Sequence, residues 1–268
     1  MPDPISTTTA PPGVPVVRRA DGRLQVGSSP RSASLHVLAA PVPVEGAPRR
    51  TGVLADHPDE ALAWAAYDRG GASPGRRLSE RARASVAAVG SPAVVDVLLH
   101  TLAGAGVGRL LCDRPGPLVS RAGGPADVLV LVDDHVARPV LADGVQADGV
   151  PHLSVVLRDT DAVVGPFVVP GRSACLRCLD RAHSDADPGW PHLRDALTGA
   201  GRRPVDAATA HAVAGIAALQ VLTHLDGGRP ATVGTTLELL LPEGRMRHRW
   251  WLPHPDCGCV ELPVPVRP

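Results

Sequence analysis

Gly165-Pro-Phe-Val-Val-Pro-Gly-Arg-Ser-Ala-Cys175-Leu-Arg-Cys178 ends in two cysteines separated by two residues. It is answered far downstream by Trp250-Trp-Leu-Pro-His-Pro-Asp-Cys257-Gly-Cys259. Four of the five cysteines lie in these two knuckles. Each pair is close enough for both thiolates to face one ion, and structural zinc takes four such ligands with no open position. The expected ligand set is therefore Cys175, Cys178, Cys257 and Cys259, with zinc as the metal. In the second pair Gly258 stands alone between the cysteines, and a glycine tolerates the tight turn this needs. Two disulfides, or four unrelated buried thiols, are the alternatives. His183 and His254 could each replace one cysteine. The N-terminus, Met-Pro-Asp-Pro, shows neither a basic start nor an apolar run, so a reducing, cytoplasmic setting is expected, where paired cysteines more often bind metal.

Composition narrows the function classes. The 268 residues suffice for one large domain or two small ones, and 27 basic residues balance 27 acidic ones. No charge field for nucleic acid is implied. No apolar run approaches membrane-spanning length, so no membrane partner is expected. Lysine and asparagine are both absent, so all 27 basic residues are arginine. Chemistry that needs a lysine amine or an Asn amide cannot come from this chain alone.

Outward from the knuckles, the pattern is α/β. Residues 1–13 are Thr/Pro-rich and expected to be disordered. Val16–Arg19 and Arg23–Val26 flank Asp21-Gly22, a hairpin signal, and Ser34–Leu38 can add a third strand. Asp56 can cap a helix running to about Arg69, followed by a linker from Gly70 to Gly75. A small α+β region, 14–75, thus precedes a larger one, 76–268. The larger region opens strand–helix–strand: Ala84–Val89, a helix from Ser91-Pro92 carrying Val94, Val95, Leu98, Leu99 and Leu102, then Val107–Cys112. Asp127–Val132 reads as a buried parallel strand ending in Asp133-Asp134. A short helix over Ala137–Gln146 and strands His152–Leu157 and Ala162–Val169 follow. Arg181–Ala200 reads as an irregular excursion with one short helix. Asp206 caps the clearest helix, Ala207–Leu225. Thr232–Leu241 and Arg245–Leu252 close as an antiparallel hairpin. In its second strand Arg245, Arg247 and Arg249 alternate with Met246, His248 and Trp250, which implies one solvated and one buried face. Cys112, the fifth cysteine, is expected to be a packed thiol.

The phosphate loop of a dinucleotide fold would read Gly-x-Gly-x-x-Gly at residues 90–95. Only Gly90 is present. Pro92 has no N–H to donate, and Val95 is branched where glycine packs best. Asp113 falls where such folds hold a ribose.

The segment from Gly165 to Asp180, with Asp187-Pro-Gly-Trp190 and His254-Pro-Asp-Cys-Gly-Cys259, resembles the ThiF/MoeB family of adenylyltransferases that activate ubiquitin-like proteins. The nearest likeness is to the divergent branch associated with cyclodehydratases of thiazole/oxazole-modified peptides. The resemblance covers residues 84–260. It implies a Rossmann-like, mostly parallel sheet with a C-terminal antiparallel hairpin and zinc knuckles. Residues 14–75 would then resemble a winged-helix-like leader-recognition region, and the chain would form a homodimer and bind a peptide or small protein, such as a precursor leader peptide. Active members adenylate a carboxylate with ATP and magnesium, using a glycine-rich loop, an aspartate after the second strand, an Asn-x-x-Arg segment, a lysine and a later aspartate. Asp113 matches the first aspartate, and Asp133 or Asp134 the later one. Gly90 and Asp113 are thus the remnants of a nucleotide site, Asp133 and Asp134 the remnants of catalysis, and no catalytic residue is assigned. Only residues 114–126 separate Asp113 from Asp127, so the segment that carries Asn and Lys is missing. The resemblance therefore implies a degenerate site in which ATP and magnesium are not expected. The alternative is an active ATP-dependent adenylyltransferase acting on a peptide or ubiquitin-like C-terminus.

Overall fold

The computed structural model describes residues 16–18, 24–26, 34–36, 74–112 and 126–260. The chain divides into two compact units, Met1–Ser79 and Glu80–Pro268. In the first, β1 (Val16–Arg18), β2 (Leu24–Val26) and β3 (Ser34–His36) form an antiparallel sheet in that order. Val16 pairs with Val26, and Leu24 with His36, which gives the expected hairpin and third strand. The expected disorder of 1–13 and helix from Asp56 to Arg69 lie outside the described residues.

Helix α1 (Pro74–Arg83) replaces the end of the expected linker. Proline suits a helix's first turn. The stretch gave no periodic signal because Leu78 is its only large apolar side chain. The second unit continues with β4 (Ser85–Gly90), α2 (Pro92–Gly104), β5 (Arg109–Cys112), β6 (Val128–Asp134), α3 (Pro139–Ala147), β7 (His152–Leu157) and β8 (Asp161–Val168). It ends with α4 (Leu176–Ala186), α5 (Trp190–Thr198), α6 (Ala207–Leu225), β9 (Thr235–Leu240) and β10 (Arg245–Trp250). The span Arg181–Ala200 is therefore mostly helical. Asp187-Pro-Gly forms the break between α4 and α5, where the Asp187 carboxylate accepts from the Gly189 N–H at 2.8 Å.

Seven strands form one sheet in the order β10-β9-β8-β7-β6-β4-β5. Strands β5, β4, β6 and β7 are parallel. From β7 onward the pairing is antiparallel through β8, β9 and β10. One face is covered by α2 and α6: Val94, Leu98, Leu102, Val213, Ala217 and Val221 pack on Val86, Val130, Val132, Val155 and Val164. The small alanines of α6 allow close approach to α2. On the other face Leu129 and Leu131 meet Ala142 of α3 and Leu176 of α4.

Helix α6 begins as its sequence dictates. The Asp206 carboxylate accepts from the Thr209 N–H at 2.9 Å and the Thr209 hydroxyl at 2.6 Å, and these bonds hold its pKa below the usual value. Ser91 occupies the equivalent position before α2, yet its side chain makes no cap bond. By length and composition α6 could cross a membrane, a candidate that run-length reading passed over; half of that stretch is buried inside the fold.

Two expectations fail at the sheet's ends. Every residue of β10 is exposed, where one buried face was expected. Cys112 is exposed rather than packed. Both strands are outermost among the described strands, and burial of an edge strand depends on neighbours that its own pattern cannot reveal. Cys112 is also the last residue of its strand.

Candidate metal centre and the opposite rim

Strand direction separates two rims. At one, the parallel strands end: Gly90 closes β4, and Asp133 and Asp134 close β6 beside Val156 and Leu157. At the other, β7 begins at His152, paired with Val168 at the end of β8. Trp250, the end of β10, pairs there with Thr235. The chain after β8 and the chain after β10 therefore leave the sheet on the same side, and these two segments carry the cysteines.

Each knuckle is built locally. Gly171 turns the chain at φ 73°, and the Ser173 hydroxyl accepts from the Val169 N–H at 2.9 Å. Cys175 sits at the N-cap of α4 and Cys178 in its first turn. Gly258 has φ 68° with open space where a Cβ would lie, so backbone conformation alone calls for glycine there.

The four sulfurs lie within 4.8 Å of one another. Cys175 Sγ is 3.8 Å from Cys178 Sγ and 3.5 Å from Cys257 Sγ, and Cys178 Sγ is 3.4 Å from Cys259 Sγ. These distances are too long for disulfides, whose sulfurs stand about 2.05 Å apart. They are close to the roughly 3.8 Å edge of a tetrahedron with metal–sulfur bonds of about 2.3 Å. Three of the thiols are buried and Cys257 is half-buried, packed with Val168, Ala174, Leu179 and Trp251. The cluster can hold a metal ion.

Cys178 is pulled down to about 4, first by the hydrogen bond from Cys175. Cys259 is pushed up to about 12, first by burial and then by the neighbouring Cys178. Cys175 is raised as well, chiefly by that same contact with Cys178. One thiolate is stabilised at its neighbours' expense, and further negative charge needs a cation.

Neither histidine competes for a place. The His254 N–H donates to Cys178 Sγ at 3.2 Å while its imidazole meets Asp185 at 2.8 Å. The His183 Nδ1 bonds the Leu179 carbonyl at 2.7 Å, and its ring stacks on Trp190 and Trp251.

At the opposite rim the expected remnants are differently employed. Gly90 has φ 120°, and a Cβ there would fall 1.7 Å from the Val132 carbonyl oxygen, so strand packing alone demands glycine. Asp133 is 2% exposed; Arg138 Nε donates to it at 2.7 Å and the Arg138 N–H at 3.2 Å. Burial raises its pKa and outweighs the opposing pull of Arg138. Asp134 retains one buried carboxylate oxygen with no hydrogen-bond partner. Asp113 lies outside the described residues.

Sequence reading missed a cavity of about 90 Å³ on the sheet face under α4 and α5. Ser154, Thr236, Glu238, His183, Trp190 and Trp251 are among the residues that line it. The Ser154 hydroxyl is buried with no partner. Strand alternation sets Thr236 and Glu238 on one face of β9, but nothing local in the sequence tells that Ser154 of β7 joins them or which helices roof that face.

No protein-family model and no curated protein matches the chain. Solved structures do. E. coli MccB with AMPCPP and selenomethionyl MccA superposes at a TM-score of 0.68, with 14% identity over 92% of this chain and 97% of that one. E. coli MccB with ATP gives 0.65, with 14% identity over 93% and 98%. PaaA gives 0.65, with 13% identity over 89% and 98%. The chain has the fold of MccB and PaaA, which bears out, at the level of fold, the resemblance carried by the knuckles.

Proposed function

We propose that this chain, sharing the fold of MccB, is a zinc-stabilised protein with a degenerate nucleotide site that binds a peptide or small protein partner. One observation carries the reading: the four thiols converge at one rim, while at the other Gly90 and Asp133 are taken up by packing and pairing within the fold. Gly90 is committed to its contact with Val132, and Asp133 to Arg138. The chain holds no lysine to neutralise a triphosphate and no asparagine amide to orient one. Phosphoryl and adenylyl transfer depend on such positioned charges.

Cys175, Cys178, Cys257 and Cys259 would hold the zinc. When bound, it neutralises thiolate charge and cross-links the segment after β8 to the segment after β10, with no vacancy for a substrate. MccB has been solved with MccA, which supports a partner of peptide class. A cytoplasmic homodimer, with residues 14–75 recognising a leader peptide, completes the proposal.

Elemental analysis of purified protein should give about one zinc per chain. ATP–pyrophosphate exchange with a peptide carboxylate should be absent; measurable exchange would overturn the degenerate-site reading.

A second reading has its own support. MccB was solved with ATP, which counts against the expectation that ATP is excluded, and Asp134 keeps an unpartnered oxygen. In that reading the chain is an active adenylyltransferase whose missing basic groups come from a partner chain. Exchange activity appearing with that partner, and lost in Asp133→Ala, would establish it.

A further inference from the structure

The outer edge of β10 combines three features. Among the described strands it pairs with β9 alone, so one row of its backbone N–H and C=O groups faces away from that sheet. All six of its side chains are exposed. Strand alternation places Arg245, Arg247 and Arg249 on one face and Met246, His248 and Trp250 on the other.

The arginines stand opposite Leu240, Glu238 and Thr236 of β9, about 7 Å apart along the strand. Neither Arg245 nor Arg247 has an ion-pair partner among the described residues, and the Arg249 guanidinium lies over the Trp251 ring at 4.5 Å. β10 itself has no acidic residue; Glu238 across from Arg247 and Glu243 in the preceding turn are the nearest carboxylates in sequence and register. On the opposite face Trp250 is 78% exposed and Met246 44%.

Charges on an edge strand commonly guard it against pairing with other chains. That role alone leaves the bare Trp250 unexplained. A second copy is a poor occupant: two-fold pairing of β10 with itself would set one arginine column beside another, and like charges opposed across strands are destabilising.

We propose that this edge is a docking strand for an extended segment of a partner chain in which acidic residues alternate with apolar ones. The acidic side chains lie along the arginine column, the apolar ones beside Met246 and Trp250, and the backbones pair as an eighth strand. The inference rests on the partner-binding reading above and gives that partner its chemistry.

Full-length protein is titrated against a fluorescent ten-residue peptide alternating Glu and Val, with anisotropy read at low salt. Saturable binding that weakens with added salt is expected. The variant R245E/R247E/R249E should lose about tenfold or more for this peptide and gain affinity for a ten-residue peptide alternating Lys and Val. A peptide of the same composition with its glutamates in one block, or with alternate backbone nitrogens methylated, should bind several-fold more weakly. No binding, equal binding of the blocked peptide, or indifference to charge reversal would overturn the proposal. Circular dichroism checks that the triple variant folds; should it not, Arg247→Gln is expected to bind about threefold more weakly, and an unchanged affinity counts against the docking strand. Arg245 and Arg247 touch neither the thiols nor the candidate nucleotide residues, so zinc content and pyrophosphate exchange in Arg247→Gln should stay as in the parent, and the two readings can fail separately.

Discussion

Arg81 closes a two-point fork on Asp226, 145 residues away, with both side chains out of contact with water. Nε lies 2.8 Å and Nη2 2.6 Å from the carboxylate oxygens. Nη1 also donates to the Ala105 carbonyl at 3.1 Å, so one guanidinium ties together the chain before β4, the end of α2 and the end of α6. Asp226 is the C-cap of α6, where a lone carboxylate would oppose the helix dipole; Arg81 cancels that charge. Arg81→Ala should destabilise the fold by about 3–5 kcal/mol, because it strands a buried charge. Arg81→Met with Asp226→Leu should cost much less. Urea midpoints of the two variants decide the matter.

Removing one thiol should cost metal and stability together. Cys178→Ser is expected to drop zinc from about one per chain toward zero and to lower Tm, and chelation of the parent should do the same. Cys112→Ser, at an exposed strand end, should change neither.

The two glycines differ in what surrounds them. Gly90→Ala forces a Cβ against the Val132 carbonyl and should cost at least about 2 kcal/mol, with or without nucleotide present. Gly215 lies within α6 with open space around its missing Cβ, so Gly215→Ala should stabilise by about 1 kcal/mol. Thermal unfolding of both variants separates a packing glycine from a merely tolerated one.

Stability should fall as pH drops below about 6.5. His152 and His224 are each lowered from 6.5, first by burial. Below that value the unfolded chain binds protons that the folded one refuses, so acid favours unfolding. Urea midpoints at pH 7.5, 6 and 5 should show this slope, and it should be shallower in His152→Gln.

Asp133 has the opposite sign. Its pKa is raised in the fold, so its contribution to stability is greatest in acid and is lost as pH rises through the folded value. Asp133→Asn should therefore be tolerated at neutral pH, within about 1 kcal/mol, although it weakens the contact with Arg138. A collapse of the fold in this variant would show that the ion pair outweighs burial.

What the sequence disclosed was whatever is local or repeated. Asp206 with Thr209 starts α6 where expected, and the cysteine pairs announce their cluster across a gap of 82 residues because the side-chain chemistry itself repeats. What stayed hidden depends on neighbours distant in sequence. Gly90 looked like the surviving glycine of a phosphate loop until the Val132 carbonyl was seen beside it. The arginines of β10 looked like one face of a half-buried strand because alternation says nothing about what covers either side. Helix α1 carries a single large apolar residue and gave no period to read.

The meeting of Cys175 and Cys257 also sets an order of events during synthesis. When α4 leaves the ribosome, Cys175 and Cys178 have no counterparts, and β8 has only β7 to pair with among the described strands. At about 5–20 residues per second, the 82 residues to Cys257 take several seconds to appear. Throughout that interval β8 has an open edge and two thiols lack their partners; if the cluster holds a metal, a shortage of that metal would prolong the exposure of all four thiols after Cys257 and Cys259 have emerged.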